Sequence, residues 1–236
     1  FLFNLFNDVA IISLPQPIRW CLAKFISWRR TPLANEIYMN LGGKSPLLEL
    51  TKAQASALQK ELKDLGVVKV FVCMRYWHPM SEEIVKKVIK SAPDRIVLMP
   101  LYPQFSSTTS GSSLQAWKKA SAKAKLMVST SAVCCYPTEP GWIKAQAQLV
   151  AESLEFISRD IRPRVLFSAH GLPKNIIKSG DPYKWQVEKT AAAIVRRLGI
   201  VELDWAVCYQ SRVGPLEWIG PSVKAELARA ATDSVA

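Results

Sequence analysis

Short continuous apolar runs alternate along the chain with segments in which apolar residues recur every three or four positions. The apolar runs have the length of buried strands and lie at residues 67–74, 96–101, 126–133, 165–167 and 205–208. Between two of them, Ile84, Val85, Val88 and Ile89 form a stripe typical of an amphipathic helix. Buried strands separated by such helices are typical of a parallel sheet that is covered on both faces. The pattern therefore predicts an α/β fold.

Polar and turn residues predict where several helices begin and end. A basic amphipathic helix is expected around residues 18–30, and other helices at 51–65, 81–89, 113–123, 142–157, 182–198 and 224–236. Thr51 and Ser81 are candidate N-caps, and Gly66 is expected to end the second helix. Asp181 followed by Pro182 predicts a sharp helix start, because the carboxylate can accept first-turn amides and proline needs no partner there.

Charge and cysteine content narrow the function classes only in part. The 236 residues carry a net charge of +12, which suits a polyanion, an anionic membrane surface or small acidic substrates. The apolar runs are too short to span a bilayer. Five cysteines without a C-x-x-C pair indicate reduced cytosolic thiols, and the adjacent Cys134 and Cys135 are expected to be buried on opposite faces of a strand. Because the chain starts at Phe1 without a basic n-region, we expect a missing true beginning rather than a signal peptide.

Candidate chemistry gathers in loops that follow the predicted strands, at residues 75–79, 102–109, 168–173 and 209–215. Ligands of open α/β sheets bind outside the carboxyl ends of the strands, so these loops predict a cleft. His170 is a candidate base there, and Gly171 would let a flat ligand approach the backbone. From the residues alone, a loop histidine with satisfied hydrogen bonds is the commoner interpretation of His170, and a surface salt-bridge partner is the commoner interpretation of Arg75.

Six motifs resemble ferrochelatase, in the order expected for that family. They are FLFNLFND (1–8), GGKSP (42–46), LYPQFSSTTSGSS (101–113), SAHGLP (168–173), GDPY (180–183) and YQSRVGPLEWIGPS (209–222). The resemblance is to the bacterial protoporphyrin enzymes and covers nearly the whole chain. It implies two Rossmann-like, three-layer domains with mostly parallel sheets. The first would span residues 1–138, lack its first strand and include a basic amphipathic lip over residues 1–45. The second would span residues 139–236 and be incomplete. It also implies insertion of ferrous iron into protoporphyrin IX in haem biosynthesis.

The resemblance assigns roles to individual side chains. His170 matches the family's proton-accepting histidine and would meet the metal, a role for which a neutral imidazole is suited. Cleft positions that line the metal or porphyrin are matched by Arg75, Tyr76, Tyr102 and Trp218. Propionate-side positions are matched by Arg30, Tyr38 and Ser45. The hydroxyls of residues 106–109 are expected beside the porphyrin, whereas His78 is expected to be structural, with Pro79 setting a turn.

The chain departs from the family pattern in two places. A second catalytic carboxylate, found in the family in a Ser-Glu-His stretch beyond residue 222, is absent before the chain ends at Ala236, so a truncated chain of doubtful activity is expected. Ser107 or its neighbour stands where some members carry an iron–sulfur ligand, so no cluster and no other cofactor is expected. A porphyrin- or haem-binding protein without turnover is therefore an open alternative.

Partners and location follow from the basic segment near the start. Between residues 19 and 44, five basic residues and one acid leave an excess of four, which is worth about 4 kcal/mol at an anionic surface. That energy corresponds to about millimolar affinity, so docking would need insertion of Trp20, Phe25 or Trp28 as well. A helix packed inward is the competing interpretation. We expect a cytoplasmic protein in peripheral contact with the inner membrane, and no nucleic-acid partner, because no base-reading motif occurs.

Overall fold

The computed structural model describes residues 1–157, 161–212 and 214–235. The chain divides into two compact units, of which unit 1 comprises residues 1–98 and 111–132 and unit 2 comprises residues 99–110 and 133–236. Each unit combines helices with a two-stranded parallel sheet. The predicted α/β class with parallel strands is confirmed. The domain boundary after residue 138 stays a prediction.

Unit 1 packs its core between two helices and one short sheet. Its elements are α1 (Leu2–Phe6), α2 (Gln16–Met39), α3 (Leu47–Glu61), a 3₁₀ turn (Lys63–Leu65), α4 (Ser81–Lys90), β1 (Ile96–Leu98), α5 (Ser112–Lys123) and β2 (Thr130–Ala132). Ile84, Val85 and Val88 of α4 pack with Ile96 of β1 and Trp117 of α5. The predicted apolar stripe of α4 therefore faces the core.

Unit 2 is built around a longer pair of strands. Its elements are α6 (Pro140–Glu155), β3 (Arg164–His170), α7 (Lys174–Lys178), α8 (Tyr183–Leu198), β4 (Asp204–Gln210) and α9 (Val223–Thr232). A π-helical turn, Ser107–Gly111, precedes α5. The register of β3 and β4 runs from Arg164 beside Asp204 to His170 beside Gln210. At the other end of the sheet from His170, Arg164 forms ion pairs at 2.8 Å with Asp204 and with Asp233 after α9.

Four sequence-based expectations about local structure are wrong. Ser81 is not an N-cap, because it is the first residue of α4 and Met80 precedes it as the N-cap. Residues 67–74 form no strand, because their amides find other acceptors: Val70 N–H donates to Gln59 Oε1 and Met74 N–H donates to the carbonyl of Pro79. α3 begins at Leu47, so Thr51 lies inside the helix, where its hydroxyl donates to the Leu47 carbonyl.

The cysteine pair is the fourth of these corrections. Cys134 and Cys135 lie beyond the last residue of β2, Ala132, and are exposed and half-buried rather than buried. Their Sγ atoms are 3.3 Å apart, so the two side chains share one side of the backbone. An apolar run predicted a strand here, but only β2 itself has the ladder hydrogen bonds that would force alternate faces.

None of the helices in the described residues is long and apolar enough to cross a bilayer. α2 has 24 residues but carries Arg19, Lys24, Arg29 and Arg30.

Candidate functional site

His170 is the last residue of β3 and lies at the surface of unit 2. Its Nδ1 is 2.7 Å from the carbonyl oxygen of Gly171. A carbonyl can only accept a hydrogen bond, so Nδ1 carries the proton and Nε2 carries the lone pair in the neutral ring. The backbone therefore fixes the tautomer that a proton-accepting imidazole needs.

Gly171 is required by its contacts rather than by a ligand. A Cβ at this position would lie 2.9 Å from the carbonyl oxygen of Gln210 and 3.1 Å from Cε3 of Trp218. The Gly171 N–H donates to the same Gln210 carbonyl at 2.8 Å. Trp218 fills the space on the Cβ side of Gly171, and the expectation that this glycine lets a flat ligand approach the backbone stays a prediction.

Trp218 is held against the loop that follows His170. The Lys174 N–H donates to the Glu217 carbonyl at 2.8 Å, and the Ile219 N–H donates to the Leu172 carbonyl at 2.9 Å. These two main-chain bonds are made by the residues directly before and after Trp218, whose indole is half-buried. A cavity of about 200 Å³ borders Gly171 and Trp218. That volume is below the roughly 300 Å³ of small-ligand sites, so unit 2 by itself offers a wall for a flat ligand rather than an enclosing pocket.

The hydroxyl loop of residues 102–109 is fastened to the start of α8. Asp181 Oδ2 accepts from the Ser106 hydroxyl at 3.0 Å and from the amide and hydroxyl of Ser107, both at 2.7 Å, while Oδ1 accepts the Tyr183 amide. Asp181 thus performs the predicted capping role and also joins two of the sequence motifs. Ser106 and Thr108 are buried and bonded to each other, so the expectation that their hydroxyls face a ligand is wrong.

Two further bonds position the start of the same loop. The buried Gln186 of α8 accepts the Phe105 amide through Oε1 at 2.7 Å. Gln104 donates to the hydroxyl of Thr190, one turn further along α8, at 2.9 Å. Tyr102, which precedes these anchors, keeps its ring at the surface. α8 therefore serves as the scaffold on which Tyr102 is presented.

In unit 1, the buried Asp8 is the centre of a polar cluster that includes two predicted site residues. Asp8 Oδ2 accepts from Arg75 Nη2 at 2.7 Å, from the Tyr76 hydroxyl at 2.8 Å and from the Ser112 hydroxyl at 2.5 Å. Arg75 Nε also donates to the Ser112 hydroxyl at 2.7 Å, and the guanidinium lies 4.7 Å from the centroid of the Tyr76 ring. Arg75 and Tyr76 are thus held together by one carboxylate.

The electrostatics of the cluster keep Asp8 charged. Burial alone raises the pKa of a carboxyl, but hydrogen bonds from Ser112, Ala10 and Tyr76 and the charge of Arg75 outweigh it, and the pKa of Asp8 lies below its usual range. Burial, with the neighbouring Asp8, raises the pKa of the Tyr76 hydroxyl. The cluster is therefore an ion pair with two neutral hydroxyl donors at neutral pH.

The three residues predicted on the propionate side lie in and after α2. Arg30 and Tyr38 are eight residues apart, which is about 12 Å along a helix axis. The Arg30 guanidinium lies 6.0 Å from the centroid of the Phe6 ring. Ser45 lies in the exposed segment after α2, where its hydroxyl accepts the Leu47 amide at 3.2 Å.

Reasoning from sequence missed Asp8 and Gln186. Both lie in or beside motifs, but neither is matched to a cleft position. The available signal for Asp8 was a single acid at the end of an apolar, aromatic segment, FLFNLFND. His78, expected to be structural, is exposed and has its Nδ1 2.5 Å from Glu83 Oε1 at the start of α4.

Comparison with known proteins gives one consistent answer. A family model described as ferrochelatase matches residues 1–236. The ferrochelatase of Wolbachia sp. subsp. Drosophila simulans (strain wRi) is 48% identical over 237 residues, which cover 100% of this chain and 75% of that protein. The ferrochelatase of Caulobacter vibrioides (strain NA1000 / CB15N) is 52% identical over 233 residues, which cover 98% of this chain and 66% of that protein. That of Pelagibacter ubique (strain HTCC1062) is 48% identical over 227 residues, or 95% of this chain and 65% of that protein.

Proposed function

The chain belongs to the ferrochelatase family, and on that premise we propose that it is a lyase that inserts ferrous iron into protoporphyrin IX to form protohaem. The observation that carries the proposal is the family match along residues 1–236, within which the surface histidine His170 ends a β-strand. The porphyrin and the ferrous ion are both substrates of this reaction.

We assign to His170 the removal of the pyrrole protons. Fe²⁺ replaces two N–H protons of the porphyrin, so two protons must leave for each ion inserted. With Nδ1 bonded to the Gly171 carbonyl, Nε2 is the nitrogen able to accept a proton. One imidazole accepts one proton at a time, so the first must pass to water before the second is taken. The exposed position of His170 allows that transfer.

The remaining residues would bind and orient the substrates. The half-buried indole of Trp218 offers a flat surface to the macrocycle, and Tyr102 offers an exposed aromatic ring. Arg75 and Tyr76, fixed by Asp8, would line the approach of the metal or the porphyrin. The propionates need cationic and hydroxyl donors, which Arg30, Tyr38 and Ser45 would supply.

Metallation of protoporphyrin by the purified chain tests the proposed reaction. Under anaerobic conditions with ferrous iron, we expect the porphyrin absorption bands to convert to those of protohaem, at a rate above that of a protein-free control. Binding of porphyrin without conversion would instead identify a carrier and overturn the assignment as an enzyme.

We also propose that α2 makes peripheral contact with the anionic cytoplasmic face of the inner membrane. Its exposed apolar residues include Phe25, Trp28 and Leu33, and Trp28 is 76% exposed. Arg29 and Arg30 lie beside them and are exposed too. Aromatic side chains next to basic ones suit the boundary between headgroups and acyl chains.

Flotation with lipid vesicles tests this contact. The chain is expected to float with phosphatidylglycerol vesicles and far less with phosphatidylcholine vesicles, and 0.5 M salt should reduce the binding because it screens charge. Trp28→Ala is expected to weaken binding several-fold, whereas Trp185→Ala, which removes an exposed tryptophan of unit 2, should not. Equal flotation of both variants would count against α2 as the contact surface.

A further inference from the structure

Cys134 and Cys135 place two thiols side by side at the surface of unit 2. Their Sγ atoms are 3.3 Å apart, Cys134 is exposed and Cys135 is half-buried. Both sulfurs are free thiols. A pair at this separation can bind one central atom through both sulfurs, with entry from the Cys134 side.

We propose that Cys134 and Cys135 form a chelating dithiol site for organic trivalent arsenicals. With bonds of about 2.3 Å to sulfur, as in thiolate sites generally, a sulfur separation of 3.3 Å corresponds to an angle of about 90° at the central atom. That angle suits a pyramidal centre such as As(III). A linear two-coordinate cation would need sulfurs about 4.6 Å apart, twice that bond length.

The number of side-chain ligands available at the pair also favours this class. No group of three or more His, Cys, Asp or Glu residues that could hold a metal ion occurs in the described parts of the chain. A four-coordinate cation bound at this pair would therefore draw only two ligands from such side chains. An organoarsenous acid, R–As(OH)₂, has two exchangeable groups, which is the number of thiols available.

The binding step balances without an oxidant or reductant. Two As–S bonds form and two As–OH bonds break, and each thiol proton leaves with a hydroxide as water, while arsenic remains trivalent. The hydrogen bond with Cys135 and, as the smaller cause, burial raise the pKa of the Cys134 thiol, so the overall step is written from the thiol, which gives up its proton as the sulfur attacks arsenic. A direct disulfide is the less favourable closure, because adjacent Cα atoms are about 3.8 Å apart and disulfides usually join Cα atoms 4.4–6.8 Å apart.

A buried glutamine holds one of the two sulfurs in place. Gln186 Nε2 donates to Cys135 Sγ at 3.5 Å, while its Oε1 accepts the Phe105 amide. Since Gln186 is 7% exposed, its amide has little freedom to turn away. Cys135 is thus pre-oriented, and Cys134 is the accessible partner.

Phenylarsine oxide is the probe that tests the site on the full chain. Intact-mass measurement is expected to find one phenylarsenic group per chain, retained in excess glutathione and removed by 2,3-dimercaptopropanol. Peptide mapping of the unmutated chain should find Cys134 and Cys135 protected together from alkylation. The proposal would be overturned if other cysteines were protected instead, or if no arsenic were retained. Both results come from the unmutated chain and need no variant.

Substitution gives the second readout. Cys134→Ser and Cys135→Ser are each expected to weaken binding by about 100-fold, because two linked attachments exceed one by at least that factor. Cys21→Ser removes another exposed thiol and should bind as the unmutated chain does. Unchanged binding by Cys134→Ser would contradict chelation. The assay uses neither porphyrin nor iron, so its outcome is independent of the proposed reaction.

Discussion

Replacing His170 by alanine is expected to lower the rate of protoporphyrin metallation by about 10²- to 10⁴-fold, the usual contribution of a positioned general base. Porphyrin binding should remain, because the hydrogen bonds of Glu217 and Ile219 that hold the loop around Trp218 are made by the main chain. The measurements are the anaerobic conversion of porphyrin to protohaem and, separately, the quenching of porphyrin fluorescence on binding.

His78→Ala is the matched control, since His78 is the other histidine of the chain and is exposed at the start of α4. It should metallate porphyrin at nearly the unmutated rate. If His170→Ala retained substantial turnover, the proton acceptor would have to be sought elsewhere. If it lost porphyrin binding as well, His170 would be a binding residue and its assignment as the base would be unsupported.

Asp8→Ala is expected to destabilise unit 1 by about 3 kcal/mol, which is at the lower end of the cost of removing one partner from a buried ion pair. The substitution removes the acceptor of Arg75, Tyr76 and Ser112 and leaves a largely buried guanidinium without its carboxylate. Urea unfolding followed by circular dichroism measures the loss. Glu49→Ala, which removes an exposed carboxylate paired with Lys44, is the control and should change stability by less than about 0.5 kcal/mol.

The Asp8 contribution should also depend on pH. The folded-state pKa of Asp8 lies below its unfolded value, so its stabilisation is fully present above about pH 4 and is lost as pH falls through the lower, folded value. The difference in unfolding free energy between the unmutated chain and Asp8→Asn should therefore be constant near neutrality and shrink in acid. A difference that grew on acidification would rule out an ionised Asp8 as the source.

Elements with a clear local sequence pattern were predicted well from sequence. The apolar stripe of α4 and the Asp181-Pro182 start of α8 are local features, and the structure contains both. β3 and β4 were predicted as short apolar runs and form a seven-residue parallel pair. The residues that decide the two helix features lie within a few positions of one another, and each strand is a continuous run, although its partner lies 40 positions away.

Features that depend on distant partners could not be predicted in this way. Residues 67–74 are apolar enough for a strand, yet a strand also needs a neighbour to accept its amides, and these amides bond to Gln59 and Pro79 instead. Asp8 acquires its role from Arg75 and Ser112, which are 67 and 104 positions away. No short stretch of the sequence contains all the residues of the Asp8 cluster.

The cysteine pair shows a different reason for failure. An apolar run around residues 126–133 predicted alternating faces for Cys134 and Cys135, but the ladder of β2 ends at Ala132. Cys134 lies only two positions beyond the end of β2, yet this is enough to remove the predicted alternation of faces. Sequence patterns predict where a strand ends less reliably than they predict that a strand exists.

The neutral carbonyl that orients His170 has a consequence for repeated turnover. A carboxylate in that position would strengthen its hold on the ring once the ring became a cation. The Gly171 oxygen directs the ring with a partial dipole only. If His170 is the proton acceptor proposed above, the charge that it gains in each cycle meets no fixed counter-ion at Nδ1, and the side chain can reset between cycles. Because this contact comes from the main chain, no exchange of a neighbouring side chain can delete it.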